Sequence, residues 1–568
     1  MKTANQITGV VYPAPEDVAR YRALGLFRDE TMPQAFRRLA KVYPDRIALS
    51  DVNEALTFRE LDERSDLIAA GLLEFGLKPL DRATFQIGNS INLVVSLVAC
   101  LKAGVIPICT LVAHRAAEIG YLSRHAGATA HFIDTDDTRF DFLAFAAEMR
   151  VAAPSLRHTI VANGKAPERD ASVTDLAGLV AGRDLSAARA RLTELPADPD
   201  QVAVFQLSGG TSGVPKIIPR FHNEYLYQIR SVAEFHGLDH SSVAFAPVPM
   251  MHNAPIICYW GSTFFSGGEV VCSRSLDPSL IAATLKARRP NWVFLPLPTM
   301  IALRSEGLLD KDLLARARIS VPDSGPKVRD LTGAPTVPHY GMTEGIICYG
   351  RIGDAQEALD TTVGRPVGEA VEFYIASPET GERLPDGELG ELLYRGPTSC
   401  RGYFDAEERN VDAFTAEGFC KSGDLMRVRE IDGQRYLAFE GRVKDVVSRG
   451  GEKINCQEVE GVLVNHPAIG AIAIVPMPDP VLGERSCAFV IPHKGERAPS
   501  VAEAGQFLEK AGLAKFKWPE RIEEVAEFPT TSSGKLSKPL LREQIKRILD
   551  AEKPDGPAGI DLAIPSNI

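Results

Sequence analysis

The 568-residue chain is 45% hydrophobic and 24% charged, the balance of a folded protein and not of a disordered one. Its 63 Lys and Arg against 74 Asp and Glu give a net charge of −11, which excludes a general nucleic-acid binder or a protein drawn to anionic membranes but leaves room for a local basic groove around a small anion. At about 150 residues per domain, the length corresponds to roughly three or four domain-sized units. The opening MKTANQITGVVYPAPED has no apolar core of a secretory signal. Nine scattered cysteines without a Cys-x-x-Cys exclude a zinc ribbon or thioredoxin motif and predict reduced thiols in a cytoplasmic protein.

Helical spacing predicts helices over 31–43, where Phe36, Leu39, Ala40 and Tyr43 share a face, and over 57–75. Strand patterns follow at 83–87, 105–109, 130–133 and 159–161. The apolar run 93–111 contains Lys102 and Pro107, so it reads as a buried helix running into a strand and not as a membrane span. Strands alternating with helices predict a parallel α/β architecture, and a second set in that style runs over 202–338. After about 360, short strands come with turn signals such as Thr380-Gly381, Pro385-Asp386-Gly387 and Asp432-Gly433, which predicts a small β-rich subdomain. An α+β pattern then begins at Gly441: a strand at 444–448, a helix over 457–465, strands at 471–475 and 487–491, and a helix from Ser500. The expected fold is therefore α/β. A large N-terminal domain, 1–442, holds two parallel-sheet α/β subdomains and the β-rich subdomain; a small α+β domain, 443–548, and a Pro- and Gly-rich tail, 549–568, follow.

Four short motifs carry chemistry. Ser208-Gly209-Gly210-Thr211-Ser212-Gly213-Val214-Pro215-Lys216 follows the strand pattern 202–207. Its glycines let backbone N–H groups line a concavity suited to phosphate oxygens, its hydroxyls add donors, and Lys216 adds positive charge. It lacks the Gly-Lys-Ser/Thr of a P-loop, and no Gly-x-Gly pair exists for a dinucleotide fingerprint. A flexible Gly/Ser loop is the alternative. Tyr340-Gly341-Met342-Thr343-Glu344-Gly345 sets a carboxylate beside a hydroxyl on a glycine-flanked turn, which can hold Mg2+ and touch phosphate or be an ordinary turn. Ser422-Gly423-Asp424, with Arg442 downstream in Gly441-Arg442-Val443-Lys444-Asp445, offers a carboxylate to vicinal ribose hydroxyls, or is again a turn. Pro529-Thr530-Thr531-Ser532-Ser533-Gly534-Lys535-Leu536 carries a lysine on a Gly/Ser/Thr loop, alternatively a charged surface loop. Of the remaining polar residues, His236 and His240 have the spacing of a helical zinc pair, but Gly237 between them and the lack of a Glu partner favour a loop. His222-Asn223 reads as structural, and Cys400 and Cys420, with no adjacent base, read as packed thiols.

In this order and spacing the four motifs resemble the adenylate-forming superfamily of acyl- and aryl-CoA synthetases, peptide-synthetase adenylation domains and luciferases, over about residues 10–548. Pro249-Met250-Met251-His252-Asn253, Arg449-Gly450-Gly451-Glu452-Lys453 and Leu482-Gly483-Glu484-Arg485-Ser486-Cys487 are similar to the stand-alone ligases that activate 2,3-dihydroxybenzoate or salicylate.

The resemblance implies two half-reactions. A carboxylate attacks the α-phosphorus of ATP to give acyl-AMP and pyrophosphate, and a thiol then displaces AMP. Ser208, Gly209, Gly210, Thr211, Ser212, Gly213 and Lys216 would hold the β- and γ-phosphates; Glu344 would ligate Mg2+; Thr343 would touch the α-phosphate. Tyr340, with Ser324 and Gly325, would border the adenine, and Asp424 with Arg442 would bind the ribose. Lys535 would bridge the carboxylate and α-phosphate, where charge builds in the transition state. Asp445 would be the hinge of a mobile C-terminal domain, and Gly450 and Gly451 would line the thiol tunnel. Ser324-Gly325-Pro326-Lys327 departs from the superfamily's Gly-Gly-Ala-type turn against the adenine.

The implied acid site comprises His252, Asn253, Cys258 and Gly345, with the Asn253 amide bonding the ortho hydroxyl and carboxylate of a benzoate. Cys258 stands where dihydroxybenzoate ligases carry Ser and salicylate-activating relatives Cys, so salicylate is expected ahead of 2,3-dihydroxybenzoate; the alternative is a thiol that merely packs. Ala254, in place of an aromatic, keeps anthranilate open. The thiol is a phosphopantetheine arm of CoA or of an aryl carrier protein, serving aromatic catabolism or siderophore assembly; a homodimer stays open. A kinase or hydrolase using the same phosphate loop, and a non-catalytic ATP-binding scaffold, are the readings from other classes.

Overall fold

Local signals set where the helices begin. Thr31 and Gln34 form a reciprocal capping box at the start of Met32–Val42, and Thr57 and Glu60 do the same for Phe58–Glu74. Each box satisfies N–H groups that a first helical turn leaves without partners. The helix Ile91–Lys102 is buried almost throughout and leads into the strand Ile106–Ile108, as the run 93–111 predicts. The computed structural model describes residues 6–208, 215–309, 311–314, 316–322, 325–449, 452–531 and 535–552.

Two units are resolved. The first comprises Met1–Ser422 and Met426–Phe439. One of its sheets has seven strands in the order Val173–Asp175, His158–Asn163, Ala128–Asp134, Arg82–Gln86, Ile106–Ile108, Val202–Ser208, Lys216–Phe221, parallel except for the last. A nine-stranded sheet follows the order Arg365–Pro366, Ile347–Tyr349, Thr336–Gly341, Arg318–Val321, Trp292–Val293, Val243–Phe245, Glu269–Val271, Ile47–Ser50, Ala55–Thr57, with its central strands parallel.

The sequence pattern groups 202–338 as one set, and the structure divides it. The first two strands of that set complete the first sheet, through Ile108 opposite Phe205, while Ile47–Ser50 joins the second by pairing with Glu269–Val271. An apolar run identifies a strand but not the neighbour that its backbone N–H and C=O groups will meet. A four-stranded sheet, Glu372–Ala376, Gly390–Arg395, Cys420–Ile431, Gln434–Arg442, answers to the β-rich stretch. Its last two strands are joined by Asp432-Gly433, whose φ angles of 50° and 70° are the left-handed pair that a two-residue hairpin needs.

The second unit comprises Gly423–Leu425 and Glu440–Ile568. Its sheet runs Glu452–Asn455, Val446–Arg449, Gly483–Pro492, Ile469–Asp479, with Arg521–Glu524 parallel to Gly483–Pro492. Val447, Ile454, Val459, Leu463, Ile474, Val490 and Leu508 form one core, and the helix Lys538–Glu552 lays Leu541 and Ile545 on Val475 and Phe489 to form another. The strand predicted from 444 starts at Val446. Arg542 bonds the Lys444 carbonyl at 2.7 Å and the Asp445 carboxylate, and Val443–Asp445 is a 3-10 turn instead. The last helix also takes in the start of the predicted tail; 553–568 lie outside the described residues. No helix among the described residues is long and apolar enough to cross a membrane.

Candidate active site

The strands Val202–Ser208 and Lys216–Phe221 make an antiparallel hairpin with Ser208 opposite Lys216, so the predicted phosphate loop is the hairpin's connection. Of its residues, Gly209, Gly210, Thr211, Ser212 and Gly213 lie outside the described residues, as do Ser324, Gly450 and Gly451. Lys216 Nζ stands 4.2 Å from the centroid of the Tyr403 ring, and the Tyr403 hydroxyl donates to Glu344 Oε1 at 2.9 Å. The lysine of the first motif and the carboxylate of the second therefore share a buried tyrosine that sequence reasoning missed. Burial, and then the Glu344 charge, hold the Tyr403 hydroxyl far above the ordinary tyrosine range, so it remains a donor. A cleft of about 450 Å³, lined by residues including Tyr121, His125, Lys216, Tyr403 and Arg409, opens beside this pair.

Thr343 and Glu344 occupy the turn between the antiparallel strands Thr336–Gly341 and Ile347–Tyr349. Gly345, with φ at 133°, closes it: a Cβ there would fall 2.0 Å from the Thr398 carbonyl oxygen, so no larger residue fits. Tyr340 stacks on Phe439 with ring centroids 6.1 Å apart. Gly325 opens the helix Gly325–Thr332, with Pro326 in its first turn, where a missing N–H costs nothing.

Arg220 has no exposed side-chain surface and ties these pieces together. Its Nε donates to both Glu224 oxygens, at 3.0 and 3.1 Å, and its Nη2 donates to Gln228 Oε1 at 2.6 Å. Its Nη1 donates to the Thr343 carbonyl at 2.9 Å and to Asn253 Oδ1 at 3.3 Å. Tyr225 OH donates to the same Oδ1 at 3.1 Å. Gln228 Nε2 donates in turn to the Gly345 carbonyl. Burial opposes the Arg220 charge, and Glu224 more than offsets it. The signal for this network was present but unread: polar residues four apart (220, 224, 228) along a strand end and the largely buried helix His222–His236.

Asn253 is buried, His252 is half-buried and Ala254 is exposed. They lead into a π-helical turn, Pro255–Trp260, that carries Cys258. The Cys258 carbonyl accepts from Trp292 Nε1 at 2.7 Å, and its thiol lies against the Tyr349 hydroxyl. Burial pushes that thiol up to about 12, with Tyr349 pulling the other way. Ser320 Oγ donates to Tyr349 OH at 3.2 Å, accepts from Tyr259 OH at 3.1 Å and is 2.8 Å from His339 Nδ1. Cys258 thus packs into a polar cluster rather than a purely apolar one.

In the second unit, Arg442 Nε is 3.3 Å from Oδ1 of the buried Asp424. Lys535 keeps an exposed side chain, yet enough protein surrounds its ammonium to lower its pKa, and the Arg442 charge adds a smaller push the same way. Asp445 is ion-paired with Arg542.

The other residues weighed from sequence have structural partners. His236 ends its helix against Trp292 and Tyr349, each with ring centroids at 4.5 Å, while His240 stacks on Tyr43. His222 Nδ1 accepts from Met32 N, and Asn223 Oδ1 from Asp29 N. Cys400 and Cys420 are buried. Among the described residues no group of three or more His, Cys, Asp or Glu could hold a metal ion.

Comparison with known proteins places the chain in a family. The model of the AMP-binding enzyme family matches residues 36–404, and that of the AMP-binding enzyme C-terminal domain matches 458–535, ending on Lys535. The chain is 36% identical to 2,3-dihydroxybenzoate-AMP ligase of Bacillus subtilis, over 94% of this chain and 98% of the relative. It is 34% identical to a salicylyl-CoA synthase / salicylate adenylyltransferase of Streptomyces sp, over 95% and 98%. The apo structure of MbtA from Mycobacterium smegmatis superposes with a TM-score of 0.69 at 31% identity, covering 94% of this chain and 99% of that one. With family models matching 36–404 and 458–535 and a relative 36% identical over 94% of this chain, the chain belongs to the AMP-binding enzyme family, the adenylate-forming enzymes.

Proposed function

We propose that this enzyme activates a 2-hydroxylated benzoate, salicylate foremost, to aryl-AMP with release of pyrophosphate, and passes the aryl group to a phosphopantetheine thiol of CoA or an aryl carrier protein. One observation carries the reading. Asn253, on the segment similar to aryl-acid ligases, and Thr343, in the phosphate motif, are held by the same Arg220 Nη1, at 3.3 and 2.9 Å. An acid bonded to the Asn253 amide therefore lies beside the group that meets the α-phosphate. The names of the relatives, which concern 2,3-dihydroxybenzoate and salicylate, support the aromatic class.

Both partners in the first half-reaction are anions, so the chain's task is to offset their repulsion and align them. Ser208, Lys216 and the loop between them neutralise the β- and γ-phosphates, while Thr343 donates to the α-phosphate. Asp424 accepts from the ribose hydroxyls, with Arg442 beside it, and Tyr340 and Gly325 border the adenine. Lys535 supplies its ammonium to the negative charge that builds as the carboxylate oxygen attacks phosphorus and pyrophosphate leaves. Glu344 brings one buried carboxylate, oriented by Tyr403, which suits Mg2+ because that ion completes its shell with phosphate oxygens and water; it would supply further charge neutralisation there. In the second half-reaction a thiolate sulfur bonds the acyl carbon and AMP departs. His252 and Cys258 bound the ring, Gly450 and Gly451 flank the thiol's path, and Asp445 is the pivot between the two halves of the cycle. The cytoplasm is the compartment that fits.

Acid-dependent exchange of labelled pyrophosphate into ATP, run over a panel of benzoates, tests this. Exchange driven by salicylate, followed by aryl-CoA or aryl-carrier product in mass spectra, is expected. Exchange with no benzoate, or release of ADP or phosphate in place of pyrophosphate, would refute it.

A further inference from the structure

We infer that Arg220 is a positioning residue that sets which way round the Asn253 amide lies, and that it thereby makes the acid site select an ortho hydroxyl over an ortho amine. The inference rests on the aryl-acid reading above.

An asparagine amide has one accepting end and one donating end, and its two orientations are nearly isosteric. What decides between them is the partner. A guanidinium has donors and no acceptor, and Arg220 Nη1 lies 3.3 Å from Asn253 Oδ1. The Tyr225 hydroxyl donates to the same oxygen at 3.1 Å, while its own oxygen is occupied by Gln206 Nε2 at 3.0 Å. Two donors converge on Oδ1; the hydroxyl could turn to accept, but the guanidinium cannot, so turning the amide over would set NH2 against the Arg220 N–H. Nδ2 is therefore the end left to meet a ligand, and it can only donate.

Arg220 is itself immobile. It is fully buried, forked onto Glu224, and braced by Gln228 Oε1 at 2.6 Å and the Thr343 carbonyl at 2.9 Å. Its orientation cannot adapt to the ligand, so the ligand must suit the donor. In a 2-hydroxybenzoate the phenolic hydrogen is turned toward the carboxylate, and the phenolic oxygen presents lone pairs outward to accept from Nδ2. In a 2-aminobenzoate the nitrogen carries two hydrogens and its lone pair is delocalised into the ring, so donor would face donor. A buried mismatch of that kind is penalised more heavily than a missing methyl group.

The test is the ratio of kcat/KM for salicylate to that for anthranilate in pyrophosphate exchange. Wild type is expected to favour salicylate by tenfold or more. Tyr225→Phe removes one of the two donors without leaving a charge buried, and the double variant Arg220→Met with Glu224→Gln removes the other while leaving no unpaired ion; its folding is checked by circular dichroism and thermal melting. In both variants the ratio should fall at least threefold, through KM for the acid; in Tyr225→Phe, which leaves the Arg220–Thr343 bond in place, KM for ATP should change by less than twofold. A purely structural role for Arg220 would lower activity toward both acids alike and leave the ratio untouched; that result in folded variants overturns the inference alone, whereas a wild type that prefers anthranilate overturns it together with the choice of a 2-hydroxybenzoate. No exchange with any benzoate in wild type would overturn the aryl-acid reading and this inference with it.

Discussion

Replacing Asp424 by alanine should weaken ATP binding selectively. The carboxylate is buried and has Arg442 Nε at 3.3 Å; the Arg442 side chain is itself 61% exposed. Losing that ion pair therefore costs little, at most ~1 kcal/mol, because water can replace Asp424 around an exposed guanidinium. The larger loss is the pair of hydrogen bonds from ribose hydroxyls, which at ~1.5–3 kcal/mol each for a charged acceptor add up to at least about 3 kcal/mol. At 1.4 kcal/mol per factor of ten, the dissociation constant for ATP should rise roughly 150-fold. Asp424→Asn keeps an accepting oxygen and the side-chain volume, and should fall between wild type and alanine. Titration calorimetry with ATP in the absence of acid measures the effect directly, and exchange kinetics give the KM for ATP and for salicylate separately. The reasoning fails if a folded alanine variant binds ATP within twofold of wild type, or if KM for salicylate rises by the same factor as KM for ATP.

Lys535→Ala should abolish adenylate formation and leave thioester formation from pre-made aryl-AMP nearly intact, since its ammonium acts on charge present only in the first transition state; equal losses in both halves would show another role. Because the Lys535 pKa is lowered, its charge is lost at lower pH than that of an ordinary lysine, so adenylation in the wild type should decline on the alkaline side before the thiol-transfer step does, as single-turnover profiles of each half would record. Cys258→Ser should move the salicylate to 2,3-dihydroxybenzoate ratio toward the latter by no more than about tenfold, since the new hydroxyl also bonds Tyr349 and gives the ligand only a shared partner worth ~1 kcal/mol; an unmoved ratio of specificity constants would take Cys258 out of the pocket. Lys102→Ala should destabilise the first unit by about 3–5 kcal/mol in urea titrations, because fully buried Lys102 bonds Asp66, also fully buried, and Asp62, each at 2.7 Å, and a buried carboxylate would lose its closest cation; a loss below about 1 kcal/mol would mean that Arg37 and Arg189 suffice.

Much of this protein is legible from residues close together in the chain. Capping boxes at Thr31 and Thr57, the Asp432-Gly433 hairpin turn and the buried helix before Ile106 all follow from local patterns, because the forces behind them act within a few residues. The motifs around Lys216, Glu344, Asp424 and Lys535 stand out for the same reason: hydroxyls and charges on glycine-bearing turns are local patterns, and their order along the chain resembles that of the family. Long-range pairing was not legible. Nothing local says that Val202–Ser208 lies beside Ile106–Ile108 and not in the second sheet, that Tyr403 links Lys216 to Glu344, or that Arg220 fixes the Asn253 amide. Those partners stand tens to hundreds of residues apart in sequence, and a buried donor reveals its role only when folding shows which acceptor it has been left to satisfy. The chain's order of residues specifies the chemistry on offer; the packing of the interior determines which atoms of those residues face a ligand and which are already spent on one another.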